Sequence, residues 1–350
     1  MAIPLGKSHM LDDVLRKLYA NGAPKILMAL VILLALSENV VIFSEAYSFI
    51  EIFSGKGWAS RVMRTSGFTT AQMDILLTVP EMKSSVQNYM DLLTDAGFLL
   101  ALTCILNGKT DNFLCLVGMV CSSFVTINKG TNKRYPYDAL GDHAVSSVSQ
   151  GNQLATRCAL LLYSIVAMGG CFLLEQPRSS MLSWHPRIRE VFLALKQVWS
   201  ASWWMAHYYS VFPKRHIAWG NSQTIGKLDL GVLCRAYQKK LASLGKRSAK
   251  TYRSGDGKKR FVGTVHLKTS GNYPPRFGRK LARLHSEFCA TRVVHEVHPN
   301  IAKMSGQDLF HLMDWNDLWE DGDMPSVLAW IRGNTHLQLG SWRPLFPTEL

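Results

Sequence analysis

Two features of this chain have the residue types and spacing to do chemistry together. One is the glycine-rich stretch Ser54-Gly55-Lys56-Gly57, and the other is Asp74, 19 positions after Gly55. Glycines in a tight turn let the backbone approach a ligand closely, and the start of a following helix offers N–H groups with no partner inside the helix. An acid about 20 residues further on is placed to accept hydrogen bonds from ribose hydroxyls. The pair therefore suits a nucleoside-type ligand at the carboxyl edge of a parallel sheet. A strand-to-helix turn that holds no ligand uses the same glycines, so the pattern alone leaves both readings open.

The flanking residues say which elements must carry that turn. Residues 47–53 (Tyr-Ser-Phe-Ile-Glu-Ile-Phe) are aromatic and β-branched, as in a buried strand. Residues 58–66 put Val62 and Met63 on one side and Arg61 and Arg64 on the other, which predicts a short helix closed by Gly67. A second apolar run, 68–73, leads into Asp74. Further along, 86–106, 150–168 and 184–199 have helical spacing, while 111–120, 171–174, 203–209 and 217–219 read as strands. Strands alternating with helices predict an α/β fold with a mostly parallel, doubly wound sheet.

Glu51-Ile52-Phe53-Ser54-Gly55-Lys56-Gly57 resembles the first motif of S-adenosylmethionine-dependent methyltransferases, in the D-L-F-x-G-x-G form of the DNA (cytosine-5) methyltransferases. Later segments follow that family's order. Residues 111–124 resemble the strand and loop of its G-x-P-C-Q-x-F nucleophile motif, and 172–177 resemble the strand ending in E-N-V or E-N-P. Residues 209–221, with Pro213-Lys214-Arg215, resemble the basic motif and strand that follow, so the likeness spans roughly 47–225. It implies a Rossmann-like methyltransferase fold and S-adenosyl-L-methionine as cofactor. Phe53, Ser54, Gly55 and Gly57 would surround its methionine part, Asp74 would take the ribose, and Met73 or Ile75 would pack on adenine. It further implies Cys121 as the thiolate that adds to C6 of cytosine, Glu175 as the carboxylate that holds the base, and Arg215, with Arg178, on phosphate or substrate. Where the family has Pro-Cys-Gln this chain has Val120-Cys121-Ser122, which removes a stiffening proline. Each residue also has a plainer role open to it: Cys121 as a small strand-end residue, Glu175 as a cap for the segment from Ser179, the arginines as solvated surface.

With 350 residues and 47% apolar content the chain can bury a substantial core, which excludes a disordered protein. Its seven cysteines are scattered without a C-x-x-C or Cys/His cluster, so neither a disulfide framework nor structural zinc is expected. The net charge of +14 is concentrated between Arg235 and Arg283, with 15 Lys and Arg against Asp256 alone. Aromatic residues interleave there, which suits nucleic acid, DNA ahead of RNA. A solvated or membrane-contacting basic face remains open.

The division expected is 1–46 for an N-terminal apolar helix or targeting segment, 47–230 for the catalytic domain, 231–300 for a basic lobe and 301–350 for an acidic helix and tail. The apolar run 26–36 is too short to span a bilayer comfortably. It suits a signal-peptide core or membrane anchor, a helix packed on the fold, or a start codon set too early. A packed helix goes with a nuclear or cytoplasmic protein, a targeting segment with a secretory or membrane-associated one. Residues 304–323 read as an acidic amphipathic helix that could pack on the basic region. Function is then methyl transfer to a nucleic-acid base, or a catalytically inactive relative that binds nucleic acid or protein, or methylation of a small molecule or protein by other chemistry.

Overall fold

The computed structural model describes residues 5–37, 40–77, 90–246, 249–257, 259–267, 269–294, 296–314 and Trp319. α1 (Leu5–Ala20) turns Leu11, Val14, Leu15 and Leu18 inward at helical spacing. α2 (Lys25–Leu36) is the apolar run, and Lys25 to Leu34 are all buried, as a helix that is apolar all round requires. Even Lys25 is drawn in, donating to the Met313 carbonyl at 2.8 Å with its ammonium 4.6 Å from the centre of the Phe310 ring. Among the described residues no helix is long and apolar enough to cross a membrane.

Six strands form the central sheet: β1 (Phe49–Ile52), β2 (Thr70–Met73), β3 (Leu114–Val117), β4 (Cys171–Pro177), β5 (Trp199–Trp204) and β6 (Arg215–Gly220). Their spatial order is β2-β1-β3-β4-β6-β5. β2, β1, β3 and β4 pair in parallel, and β6 runs antiparallel to both β4 and β5. The fold is thus α/β with a mostly parallel sheet flanked by helices, compatible with a Rossmann-like fold. Between β1 and β3 the winding reverses, and ligands of such sheets bind outside the strand ends at that point.

The inner strands β1, β3 and β4 are buried along their length and mostly apolar because both faces are covered, while β2 and β5 are partly exposed. Ile50, Ile52, Cys115, Val117, Phe172 and Leu174 face one core, shared with α4 (Asp95–Leu106), α6 (Ser146–Ala167) and α7 (Pro186–Ala194). The short α5 (Lys129–Asn132) lies in the long connection before α6. Phe49, Leu114, Leu116 and Leu173 face the other core, against α3 (Trp58–Thr65) and a helix from the basic region.

That region divides differently from the sequence expectation. α8 (Arg235–Ser243) and the hairpin of β7 (Ala249–Arg253) and β8 (Lys259–Gly263) form its outer part. α9 (Pro275–Ala290) instead belongs to the core, through Phe277, Leu281 and Phe288. It packs closely on α3 because Gly278 has no side chain; a Cβ there would lie 3.0 Å from Cβ of Val62. Its basic residues Arg276, Arg279 and Arg283 lie on the exposed side.

After α10 (Pro299–Ala302), the C-terminal helix also departs from expectation. α11 (Gly306–Leu312) has seven residues, opened by a reciprocal cap between Ser305 and Asp308. It packs on α1 and α2 rather than on the basic region, and the Gly306 N–H donates to Asp12 at 2.8 Å. Residues 315–318 and 320–323 of the expected helix lie outside the described residues. Aromatic content misplaced another boundary: residues 205–208, read as strand, form a helical turn after β5.

Candidate functional site

The chain leaves β1 through Phe53, Gly55 and Gly57, all left-handed with φ of +61°, +55° and +63°. Glycine adopts this freely, whereas Phe53 is held there at a cost of about 1–2 kcal/mol. The turn brings the Gly55 N–H to Asp74 Oδ2 at 2.7 Å, while Oδ1 accepts from Leu76 N–H at 2.9 Å. Gly57 is required for a second reason: a Cβ there would sit 2.4 Å from Gln72 Oε1 on β2.

Beneath the turn, Glu51 is fully buried and accepts from the Ser60 N–H and hydroxyl at 2.7 and 2.6 Å, which fixes the start of α3. Burial pushes its carboxyl up to about 7 against those hydrogen bonds. A carboxyl whose pKa is raised on folding contributes stability that is complete below its unfolded value and is lost as pH rises through the folded one. The window is about pH 4.5 to 7, and the shift is equivalent to about 3 kcal/mol. In Glu51→Gln this loss is absent, so the variant's melting temperature should gain on the wild type across that window and hold its lead above it. Parallel curves for the two proteins would refute the assignment.

Phe53, Asp74 and Ile75 line a cavity of about 170 Å³ at the winding reversal. The opposite wall comes from residues 90–93, from Val120, Ser122 and Ser123, and from Ser147, Gln150 and Leu154 of α6. Ser54, Gly55 and Gly57, expected around a ligand, shape the turn instead and do not line this cavity. Two buried arginines hold the opposite wall in place. Arg157 donates to the carbonyls of Leu92 and Thr94 at 2.8 and 2.7 Å and pairs with Asp95 at 2.8 Å. Arg134 donates to the carbonyls of Ser123, Ala139, Leu140 and Val148, to the Ser123 hydroxyl and to Asn152, and stacks 4.0 Å from the Phe124 ring centre.

On the far side of the same loop lies a larger cleft of about 730 Å³, within the range of ligand sites. Cys121, Arg178, Lys214 and Arg215 line it, and Phe261, Val262 and Gly263 of the hairpin face them. Ser122 borders both spaces, and Cys121 lines the larger one. No family model, curated protein or solved structure matches this chain. What the site can do is therefore read from its own geometry.

Cys121 is half-buried, and burial pushes its thiol up while Lys214 acts in the opposite direction. In the sequence Lys214 is named only within the basic motif Pro213-Lys214-Arg215, with the substrate role given to Arg215. Arg215 lines the cleft too, but its guanidinium lies 5.4 Å from the Trp204 ring centre. Gln176 ties the loop to β4, donating to the Met119 carbonyl at 2.6 Å.

Glu175 lies two residues before the end of β4 and does not line the cleft with Cys121. Its Oε1 is hydrogen-bonded to His216 Nδ1, and its Oε2 accepts from the Tyr273 hydroxyl at 2.6 Å. Burial favours the neutral acid, yet His216, Tyr273 and Lys214 outweigh it and hold the carboxyl below its usual range. Tyr273 is pushed well above its ordinary value, first by burial and then by Glu175, so it stays a donor. Its hydroxyl fits only because residue 118 is glycine; a Cβ there would be 2.4 Å away. Residues 270–273 thus run along the strand ends, with Asn272 Oδ1 3.7 Å from where a Cβ of Gly55 would be. The turn residues Gly271-Asn272 and Pro274-Pro275 ahead of α9 were the sequence signal for this segment.

Proposed function

We propose that this chain is an S-adenosylmethionine-dependent methyltransferase acting on a nucleic-acid base, of the cytosine-5 type. The observation that supports it most is that two unlike clefts share Ser122, next to Cys121 of the larger one. One is mainly apolar with two acids, Asp74 and Asp91, in its lining, and the other is lined by cations and a thiol. Group transfer between two bound molecules needs such a shared edge.

Side chains of the smaller cleft suit parts of the donor, and its volume of about 170 Å³ must widen to admit the whole molecule. Asp74 keeps acceptor capacity beyond its two backbone bonds, suited to ribose hydroxyls. Ile75, Leu93 and Leu154 offer apolar surface for adenine. Ser54 Oγ, next to the turn, is buried without a hydrogen-bond partner among the described residues. Bound there, S-adenosylmethionine supplies an electrophilic methyl group. The chain's own part is to make C5 of the acceptor nucleophilic. Cys121 as thiolate adds to C6, and the electron pair of the C5–C6 double bond moves to C5. Lys214 favours the thiolate, and Arg178 and Arg215 hold phosphate. Glu175, its Oε1 kept by His216, would accept from the exocyclic amine of the base through Oε2 once Tyr273 releases it.

Trapping tests this directly. With S-adenosylmethionine present, an oligonucleotide carrying 5-fluorocytosine should form a denaturation-resistant adduct with the wild type and none with Cys121→Ser. If the donor binds but neither duplex nor single strand forms an adduct, methylation by other chemistry replaces the cytosine-5 assignment.

One observation favours a second reading, an inactive relative that binds nucleic acid or protein: both oxygens of Glu175 are already engaged inside the protein. On that reading nucleic acid binds, Tyr273→Phe yields no methylation, and the wild type takes up no donor.

A further inference from the structure

α3 and α9 lie side by side on one face of the sheet and run the same way, from the edge that carries the clefts to the far edge. α3 opens at the Gly55 turn, and near its end Arg64 donates to the Thr70 hydroxyl at the start of β2. α9 opens just after Tyr273, which reaches Glu175, and further along His285 Nε2 donates to the Ser48 carbonyl ahead of β1 at 2.8 Å. The outer surface of this helix pair is thus continuous with the edge of the site.

Helix geometry decides which side chains occupy that surface. Phe277, Leu281, Leu284 and Phe288 point into the core. Gly278 meets Val62 of α3, and the His285 ring lies 4.4 Å from that of Phe68 just beyond it. At about 100° per residue the side that remains belongs to Arg276, Arg279, Arg283 and Ser286, and all four are exposed. On α3, Arg61 is exposed opposite the buried Ala59, Ser60 and Met63. The two helices hold one acid, Glu287, and it turns aside to pair with Lys227.

Among the described residues, the guanidinium groups of Arg61, Arg276, Arg279 and Arg283 have no hydrogen bond or ion pair. Two rest on rings instead, Arg61 at 4.6 Å from the Trp58 centre and Arg276 at 3.6 Å from that of Tyr209. A guanidinium held over a ring keeps its in-plane N–H donors open, and such a planar fork matches the oxygens of a phosphate. An anionic bilayer is gripped by apolar side chains set among the cations, and none of the large exposed apolar residues belongs to α3 or α9.

We propose that the joint outer face of α3 and α9 is a sequence-independent docking surface for the phosphate backbone of nucleic acid, held by Arg61, Arg276, Arg279 and Arg283. It rests on the nucleic-acid part of the proposed function and adds a contact outside both clefts.

α9 is about 24 Å long, or about seven base pairs of duplex, so a duplex of about 24 base pairs can reach this face and the clefts together. Fluorescence anisotropy of the full chain with such a labelled duplex, over a range of salt, tests the proposal. In the double variant Arg279→Gln, Arg283→Gln the slope of log affinity against log salt should be shallower by about 1.8, at about 0.9 for each phosphate contact. With the two lines meeting near about 1 M salt, that is a loss of about 60-fold at about 0.1 M. The loss should be equal for unrelated sequences, and Arg279→Lys with Arg283→Lys should keep the slope. Melting temperatures should stay within about 2 °C, since the side chains removed are exposed. Ser286→Glu keeps every arginine and should also weaken binding, and it decides alone if the double variant unfolds. An unchanged slope in the glutamine variant, an unchanged affinity in Ser286→Glu, or capture of the wild type by phosphatidylserine vesicles but not by duplex overturns the proposal. If donor binding and the 5-fluorocytosine adduct are found while the slope stays the same, the face fails and the methyltransferase assignment stands. A slope that falls in a protein that binds no donor does the reverse.

Discussion

Arg134→Ala should be among the most damaging single substitutions in this chain, lowering the melting temperature by on the order of 10 °C. The residue is 2% exposed and, among the described residues, has no acidic hydrogen-bond partner; the bonds described go to four carbonyls, one hydroxyl and one amide oxygen. Burial pulls its pKa down to about 10, opposed by Asp138, so it remains charged at neutral pH. Removing it leaves buried acceptors at Ala139 and Val148 without this donor, at a cost of about 3–5 kcal/mol. For a chain of this size that is roughly 2–4 °C per kcal/mol. Lysine cannot substitute, since a single ammonium does not span acceptors spread from Ser123 to Asn152. A thermal melt of Arg134→Lys within about 2 °C of wild type would contradict this account of the loop.

Asp74→Ala is the second large effect, and it falls on binding rather than on stability. The carboxylate joins the Gly55 turn to the end of β2 and stands at the edge of the smaller cleft. On the proposed function Asp74 would accept from two ribose hydroxyls, and their loss should weaken S-adenosylmethionine about 100-fold, at about 1.5 kcal/mol each. Asp74→Asn keeps one acceptor oxygen and should lose about 10-fold. The melting temperature without ligand should fall by only a few degrees, as the two amides left behind lie near the surface. Equal donor affinity in Asp74→Ala and wild type would remove this residue from the site.

The framework of the site was legible because its causes are local. Strands covered on both faces must be continuously apolar, so 49–52, 114–117 and 171–174 stand out. The spacing of Gly55 and Asp74 follows from the length of one strand–helix–strand unit, and the structure puts them in contact. What escaped was long-range. Tyr273 and Glu175 are 98 positions apart, and nothing near either residue specifies the other.

Arg134 and Arg157 escaped because arginine is usually a surface residue, and carbonyl partners leave no trace in a sequence. Lys214 was given no role of its own, because which residue of Pro213-Lys214-Arg215 faces Cys121 depends on where β6 begins. α9 was hidden by charge: the basic count from 235 to 283 drew notice away from Phe277, Leu281, Leu284 and Phe288, whose spacing is that of a helix with one apolar face.

Calorimetric titration of the full chain with S-adenosylmethionine bears most directly on whether the cleft beside the Gly55 turn is a methyl-donor site. A one-to-one isotherm with a dissociation constant in the range of about 1 μM to 1 mM, as for ordinary enzyme substrates, is predicted. It should be displaced by S-adenosylhomocysteine and be much weakened in Asp74→Ala. No heat at millimolar ligand, together with an unchanged melting temperature, would contradict the account at its centre.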